Sequence, residues 1–242
     1  MKKRWLFSFM FITACTLLSA QSNFLIGLLG GITQSQYVTP GGTETPIERV
    51  SFFSPNLGIS FRHHFHDKFY WQTNLQYIQF GERVLQSDNL MWPSENDGNG
   101  NYVRNPDLPH RLEYQQKTDF LSLRAGLGYY LWRSEKFGLG LMPFAEADFF
   151  IKNKDEQRFV YDDGRIDSTS GLAYYGENTF RKANFSAGLA LSLQAKLGSK
   201  FDFSLSPEAF YQLQSATVKT SPDTDTRRYF VLGLSAGIFY RL

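Results

Sequence analysis

The stretch Phe230-Val-Leu-Gly-Leu-Ser-Ala-Gly-Ile-Phe-Tyr-Arg-Leu242 alternates between two kinds of residue. Large apolar side chains recur at every second position, with Ala236 in the same series, and mostly small or polar residues lie between them. A period of two indicates a β-strand with one apolar face. The free edge of such a strand invites aggregation in water. We therefore expect this strand to close a barrel against the first strand, with its apolar face in lipid.

The same alternation recurs in seven earlier segments. These predicted strands are Asn23–Tyr37, Ser54–Phe65, Phe69–Gly81, Thr118–Trp132, Phe137–Ile151, Lys182–Leu197 and Phe201–Val218. The connections after the second, fourth and sixth segments are short, and those after the odd-numbered segments are longer. Outer-membrane barrels have an even strand number, short periplasmic turns and longer extracellular loops. The sequence thus predicts an all-β fold, an eight-stranded antiparallel up-and-down transmembrane β-barrel.

The start of the chain has the features of a secretory signal peptide. Met1-Lys-Lys-Arg is positively charged, Trp5–Leu18 is apolar, and Ala20 is a small residue ahead of Gln21. We expect residues 1–20 to be removed and residues 21–242 to form the barrel domain. A retained N-terminal anchor is one alternative. Another is lipidation at Cys15, because the residues before it fit a bacterial lipobox. Cleavage after Ala20 would remove the only cysteine and, with it, any disulfide.

Composition narrows the class of protein further. The chain is 17% aromatic with a net charge of +2, and it has no basic block that would indicate nucleic acid as a partner. After the leader, no segment approaches the roughly 18 apolar residues of a membrane helix. A soluble β-sandwich or lipocalin-type barrel would also show alternation. Aromatic residues near the strand ends favour a membrane barrel instead, because such girdles mark lipid interfaces.

Three segments carry a resemblance to a known family. They are Leu75-Gln-Tyr-Ile-Gln-Phe-Gly-Glu82, Phe120-Leu-Ser-Leu-Arg-Ala-Gly-Leu-Gly-Tyr-Tyr130 and Leu232-Gly-Leu-Ser-Ala-Gly-Ile-Phe-Tyr240. The chain resembles the small outer-membrane β-barrel domain family of Bacteroidota, which includes PorT-like proteins, and eight-stranded OmpA-like barrels. The resemblance implies a location in the cell outer membrane and allows a role in an envelope protein complex. The last residues, Phe239–Leu242, are expected to be read by the barrel-assembly machinery during insertion into outer-membrane lipid.

The face opposite the aliphatic residues carries polar and charged side chains. They are Arg62, His64, Gln72, Asn74, Gln76, Arg124, Glu146, Asp148, Glu208 and Arg241. Eight strands leave an interior just wide enough for side chains to fill, and buried charges there must pair. We therefore predict that an ion-pair network of Arg62 and Arg124 with Glu146 and Glu208 plugs the lumen. The alternative interpretation of these residues is a gate or a narrow proton or ion path.

No pattern in the sequence specifies a chemical activity. His64 and His66 share a predicted strand face, but no third ligand is fixed near them, so no metal or other cofactor is expected. The chain has no local nucleophile motif, and no catalytic residue is predicted. We expect a non-enzymatic structural or accessory envelope protein with loop-mediated interactions. A transport element, either a narrow pore or part of a secretion complex, is the alternative, and an outer-membrane lipid hydrolase is a third.

Overall fold

The structure, a computed structural model, describes residues 23–38, 48–86, 95–96, 102–103, 107–170, 180–218 and 228–242. Eight long strands dominate them. They are β1 (Phe24–Val38), β2 (Phe52–His66), β3 (Phe69–Gln86), β4 (Arg111–Arg133), β5 (Phe137–Val160), β6 (Ala183–Leu197), β7 (Phe201–Gln212) and β8 (Arg228–Arg241). The described residues contain no helix with the length and hydrophobicity of a membrane span. The predicted signal peptide and Cys15 lie outside the described residues.

The eight strands close into a ring. Each pairs antiparallel with the next one along the chain, from β1 with β2 to β7 with β8. The ring is completed by β8, which pairs with β1 from Leu25↔Arg241 to Val38↔Arg228. The predicted eight-stranded up-and-down barrel is confirmed, as is the closing role of the terminal strand. Each of the eight long strands therefore has a paired neighbour on both sides, which protects edges that an open sheet would expose.

Tight turns join the strands at one end of the barrel, which we call the turn end. They follow β2, β4 and β6, as the sequence predicted. In the turn after β6, Gly198 has a φ angle of 83°, which residues other than glycine rarely adopt. The longer connections lie at the opposite end, which we call the loop end.

Three strands are longer than the sequence predicted. Strand β3 runs on to Gln86, β4 begins at Arg111, and β5 continues to Val160, so much of the expected loop is strand. The short strands Glu48–Val50 and Ile166–Ser170 pair with β3 and β5 and widen this extension. A further pair joins Glu95–Asn96 to Tyr102–Val103. Strand β7, in contrast, stops at Gln212, short of the predicted Val218.

The two faces of the barrel wall have opposite character. The outer face exposes large apolar side chains on every long strand, among them Leu28, Leu57, Leu75, Leu121, Leu131, Phe149, Leu189, Phe201 and Ile238. Most buried positions on the inner face are polar, charged or aromatic. On β4 the apolar series runs from Leu121 to Leu131, matching the roughly 9–11 residues that a tilted strand needs to cross a bilayer. This arrangement inverts that of a water-soluble barrel and identifies a barrel of the transmembrane type.

Candidate functional site

An ion-pair network occupies the middle of the lumen. Arg124 on β4 lies opposite Glu146 on β5 in the strand register. Its Nε donates to Oε2 of Glu146 at 2.5 Å, and its Nη1 donates to Oε2 of Glu208 at 2.5 Å. The exposed fractions of the three side chains are 2%, 0% and 3%. The network therefore joins β4 and β5 to β7 across the lumen, inside the protein and away from water.

Further contacts hold this network in place. The guanidinium carbon of Arg124 lies 4.0 Å from the ring centre of Phe144 and 5.3 Å from that of Phe210. Cation–π contacts of this kind are strongest when both partners are desolvated. Gln76 on β3 donates to Oε2 of Glu146 at 3.1 Å. Because each contact comes from a different part of the wall, the network braces the barrel from several sides.

Asp148 lies in the same lumen, two residues beyond Glu146 on β5, and is completely buried. Its carboxylate accepts hydrogen bonds from Ser122 on β4, at 2.5 Å, and Ser186 on β6, at 3.0 Å. These bonds tie β5 to both of its neighbouring strands. The carboxylate is thus used in holding the wall together.

Arg62 does not join the ion-pair network, and the prediction that it would is corrected. Its Nε donates to Oε1 of Gln72 at 2.8 Å, and its guanidinium carbon lies 4.1 Å from the ring centre of Phe239. Arg62 pairs in register with Gln72, whereas Arg124 pairs with Asn74. The parity of a strand position gives the face of a side chain but not its height or its partner. Arg62 therefore lies apart from the two glutamates, against aromatic rings.

Aromatic layers fill the lumen on both sides of the network. Toward the loop end, the ring of Phe80 lies 5.2 Å from that of Phe120 and 5.1 Å from that of Tyr229. Toward the turn end, the rings of Tyr70 and Tyr130 are 5.1 Å apart. All five side chains are buried. The charged layer is thus enclosed between two layers of aromatic side chains.

Polar side chains lie at the turn end of the lumen. The hydroxyl of Tyr130 is 3.1 Å from Nε2 of His64 and donates to Oε1 of Gln194 at 2.6 Å. A cavity of about 20 Å³ beside these residues is large enough for about one water molecule. Near them, Arg241 on β8 donates to both oxygens of Asp202, at 3.2 and 3.1 Å.

Asp202, the partner of Arg241, is a lumen residue that the sequence reasoning missed. It has the same strand parity as Ser204 and Glu208 on β7. Parity alone could therefore have placed Asp202 in the lumen, although not opposite Arg241. The remaining predicted lumen residues, Asn74 among them, do lie on the inner face.

The four histidines have separate roles in the structure. His63 accepts from the indole of Trp71, and His64 contacts Tyr130. His66 accepts from the backbone of its own turn, and His110 lies 3.2 Å from Asp162. In the described part of the chain, no three potential ligands are grouped as a metal site would require. His64 and His66, the pair considered for a metal, are separated by an irregularity in the strand register.

Comparisons with known proteins concern the barrel fold. Neither protein-family models nor curated proteins give a match. Among solved structures, the chain is similar to Ail of Yersinia pestis, determined in complex with the heparin analogue sucrose octasulfate. The identity is 14%, over 91% of this chain and 99% of that one, with a TM-score of 0.36. It is also similar to Neisserial surface protein A, at 10% identity over 90% and 97% of the two chains, with a TM-score of 0.39. OprG from Pseudomonas aeruginosa gives 12% over 91% and 96%, also at 0.39. Similarities this low say nothing of function, and the fold assignment follows from the strand pairing itself.

Proposed function

We propose that the protein is a non-enzymatic, integral outer-membrane β-barrel with a structural or accessory role in the envelope. The observation that carries this proposal is the packing of charged and aromatic side chains in the lumen. Two buried ion pairs join Arg124 to Glu146 and Glu208, and they lie between two aromatic layers. Such an interior supplies rigidity and leaves the parts of the barrel outside the membrane to meet partners. The apolar outer face and the predicted signal peptide support the outer membrane as its location.

The interior favours a plug over a pore. An eight-stranded barrel has room only for its own inward side chains. A conducting path would need a chain of water along the axis, but the aromatic side chains at both levels, Phe120 and Tyr130 among them, are buried against their neighbours. We therefore expect no steady conductance.

The test combines location with conductance. The full-length chain is expressed in a Gram-negative host, and the outer membrane is separated from the periplasm. We expect the protein in the outer-membrane fraction, with a gel mobility that changes on boiling, as folded barrels show. Reconstituted in a planar bilayer, it should give no steady single-channel current. A soluble periplasmic product would refute the membrane assignment, and regular channel openings would refute the plug.

A second candidate is a component of an envelope secretion complex. The extended sheet of β3–β5 supports it, because this sheet continues past the apolar belt and presents polar residues at the loop end. The strand Ile166–Ser170 is exposed at all of its positions. The PorT-like resemblance points to the same class of role. A photo-crosslinker placed at Ser168 should capture a defined envelope protein in the native host, and labelling of lipid alone would count against this candidate.

A further inference from the structure

Two lysines face each other just beyond the apolar belt. Lys117 on β4 pairs directly with Lys154 on β5 in the strand register. Directly opposed side chains have Cβ atoms about 4.5–5.5 Å apart, and like charges in that position destabilise a sheet. Neither lysine forms an ion pair with another residue that the structure describes. An anion that lies between the two ammonium groups would reduce their repulsion and so stabilise the sheet.

Both lysines are on the outer face of the wall. The neighbouring pairs bond to each other on the inner face, because Gln116 donates to Asp155 at 3.2 Å and Thr118 donates to Asn153 at 3.0 Å. Side chains alternate between the two faces of a strand. Lys117 therefore points outward, on the same side of the sheet as the apolar belt.

The position along the strands places the lysines at the membrane boundary. Leu121 on β4 pairs with Phe149 on β5, and the exposed fractions of these two outward side chains are 42% and 46%. The register is irregular here, and Ile151, which is 49% exposed, has no partner on β4. Beyond it the next outward pair toward the loop end is Asp119↔Lys152, and Lys117↔Lys154 follows. The change from hydrocarbon-facing to charged side chains thus occurs across this irregularity. Lipid headgroups lie at this depth.

The carboxylate of Asp119, in the next outward pair of the ladder, does not neutralise the two lysines. One oxygen of Asp119 accepts from Nε2 of Gln79 at 2.5 Å, and the other lies 3.5 Å from the ammonium of Lys152. Among the described residues, Lys117 has a weak cation–π contact, with its ammonium 5.9 Å from the ring centre of Phe52. Positive charge therefore remains at the boundary.

We propose that Lys117 and Lys154, with Lys152 beside them, bind the phosphate group of a membrane lipid in the leaflet at the loop end. The inference rests on the proposed function, since it needs the barrel to be inserted in a membrane. A phosphate oxyanion can accept charge-assisted hydrogen bonds from several ammonium groups at once. Basic residues at a membrane surface attract anionic lipid in this way. When the phosphate is bound, both ammonium groups contact it, and its negative charge offsets the repulsion between them.

The test uses the full-length chain folded in a neutral detergent. Its binding of phosphorylated lipid A and of dephosphorylated lipid A is compared by native mass spectrometry. The variant K117Q/K154Q removes the opposed charges. The control K68Q/K196Q removes two exposed lysines at the turn end, neither of which is ion-paired with a described residue. We expect the wild type to prefer the phosphorylated lipid by about tenfold or more, the lysine variant to lose the preference, and the control to keep it. Equal binding of both lipids by the wild type, or an equal loss in the control, overturns the inference.

A second measurement separates lipid phosphate from free phosphate. In lipid-free detergent, K154E should unfold at a higher denaturant concentration than the wild type, because it places a carboxylate opposite Lys117. Phosphorylated lipid A should raise the unfolding midpoint of the wild type but not that of K154E. If inorganic phosphate alone gives the same rise, the lipid assignment is wrong. Membrane insertion is checked first by the boiling-dependent gel shift: failure to insert refutes the proposed function, whereas insertion without a phosphate preference refutes only the lipid site.

Discussion

Replacing Arg124 by alanine should destabilise the barrel more than any other single change in the lumen. The substitution leaves the carboxylates of Glu146 and Glu208 inside the barrel without their common cation. Removing one partner of a buried ion pair costs about 3–5 kcal/mol, because the remaining charge is neither solvated nor paired. The change also removes the cation that lies 4.0 Å from the ring centre of Phe144. We therefore expect a loss in the upper part of that range.

A matched substitution on the other side of the pair separates charge from packing. Glu208→Gln keeps nearly the same volume and an oxygen that can accept from Arg124, while Arg124 retains its bond to Glu146. This variant should lose about 1 kcal/mol, the usual net worth of one hydrogen bond. The order of stability is then wild type, Glu208→Gln and, well below, Arg124→Ala. Both variants disturb the same layer, but only Arg124→Ala leaves the carboxylates without a cation. The difference in stability between the two variants therefore reports on the unpaired charges.

Equilibrium unfolding in urea, with the barrels folded in detergent micelles or lipid vesicles, measures the free energies. Tryptophan fluorescence includes the signals of Trp71 and Trp132, whose side chains are exposed. Planar-bilayer recordings on Arg124→Ala should remain silent, because the aromatic layers on both sides are still in place. A loss of less than about 1 kcal/mol would refute the reasoning on stability. A steady current through Arg124→Ala would show that the charged layer is a gate.

Two further predictions concern packing and the rim of the barrel. A methyl group at Gly128 would overlap the buried ring of Tyr70, so Gly128→Ala should lower the free energy of unfolding by about 1–3 kcal/mol. Gly30→Ala is its control, because the nearest atoms to the new methyl would be 3.9 Å away, and it should be neutral in the same urea titration. Arg241→Ala breaks the pair with Asp202, but the arginine is 28% exposed, so we expect a loss of only about 0–1 kcal/mol that shrinks further in high salt. An Arg241→Ala loss as large as that of Arg124→Ala would contradict the difference in burial between the two pairs.

The sequence was sufficient to predict the strand number, the closure and the face of most residues. One face of a strand in the barrel wall meets lipid and the other meets the lumen, so successive residues differ in character. The alternation in the stretch Phe230–Leu242 is therefore strong. Beyond the belt this signal ends. In β4 the residues from Gln115 to Asp119 are polar or charged on both faces, although the strand ladder continues through them. Such a strand has no period of two, and this is why the sequence indicated a loop there.

The candidate site was predicted less completely, and Arg62 shows the reason. Its inward position followed from parity, and the structure places it inside, 1% exposed. Which inward residues meet depends on strand tilt and register around the whole ring. The contact between Arg124 on β4 and Glu208 on β7 spans the lumen, and no local pattern encodes it. The sequence thus provides the set of lumen residues, but the closed barrel decides the partners.

The character of the side chains changes along β4, and this change indicates that the two ends of the barrel serve different purposes. From Phe120 to Tyr130 its inward side chains are fixed in the plug and its outward side chains meet hydrocarbon. Before Asp119 the same strand leaves the belt, and its partner on β5 presents lysines instead of aliphatic residues. A substitution in the plug should therefore change stability without changing contacts at the surface, whereas a substitution at Lys117 should change lipid contacts with little effect on the plug. If the two kinds of variant proved inseparable, with lipid preference lost in Arg124→Ala barrels that are still folded, the loop end would be coupled to the plug and could not be an independent binding surface.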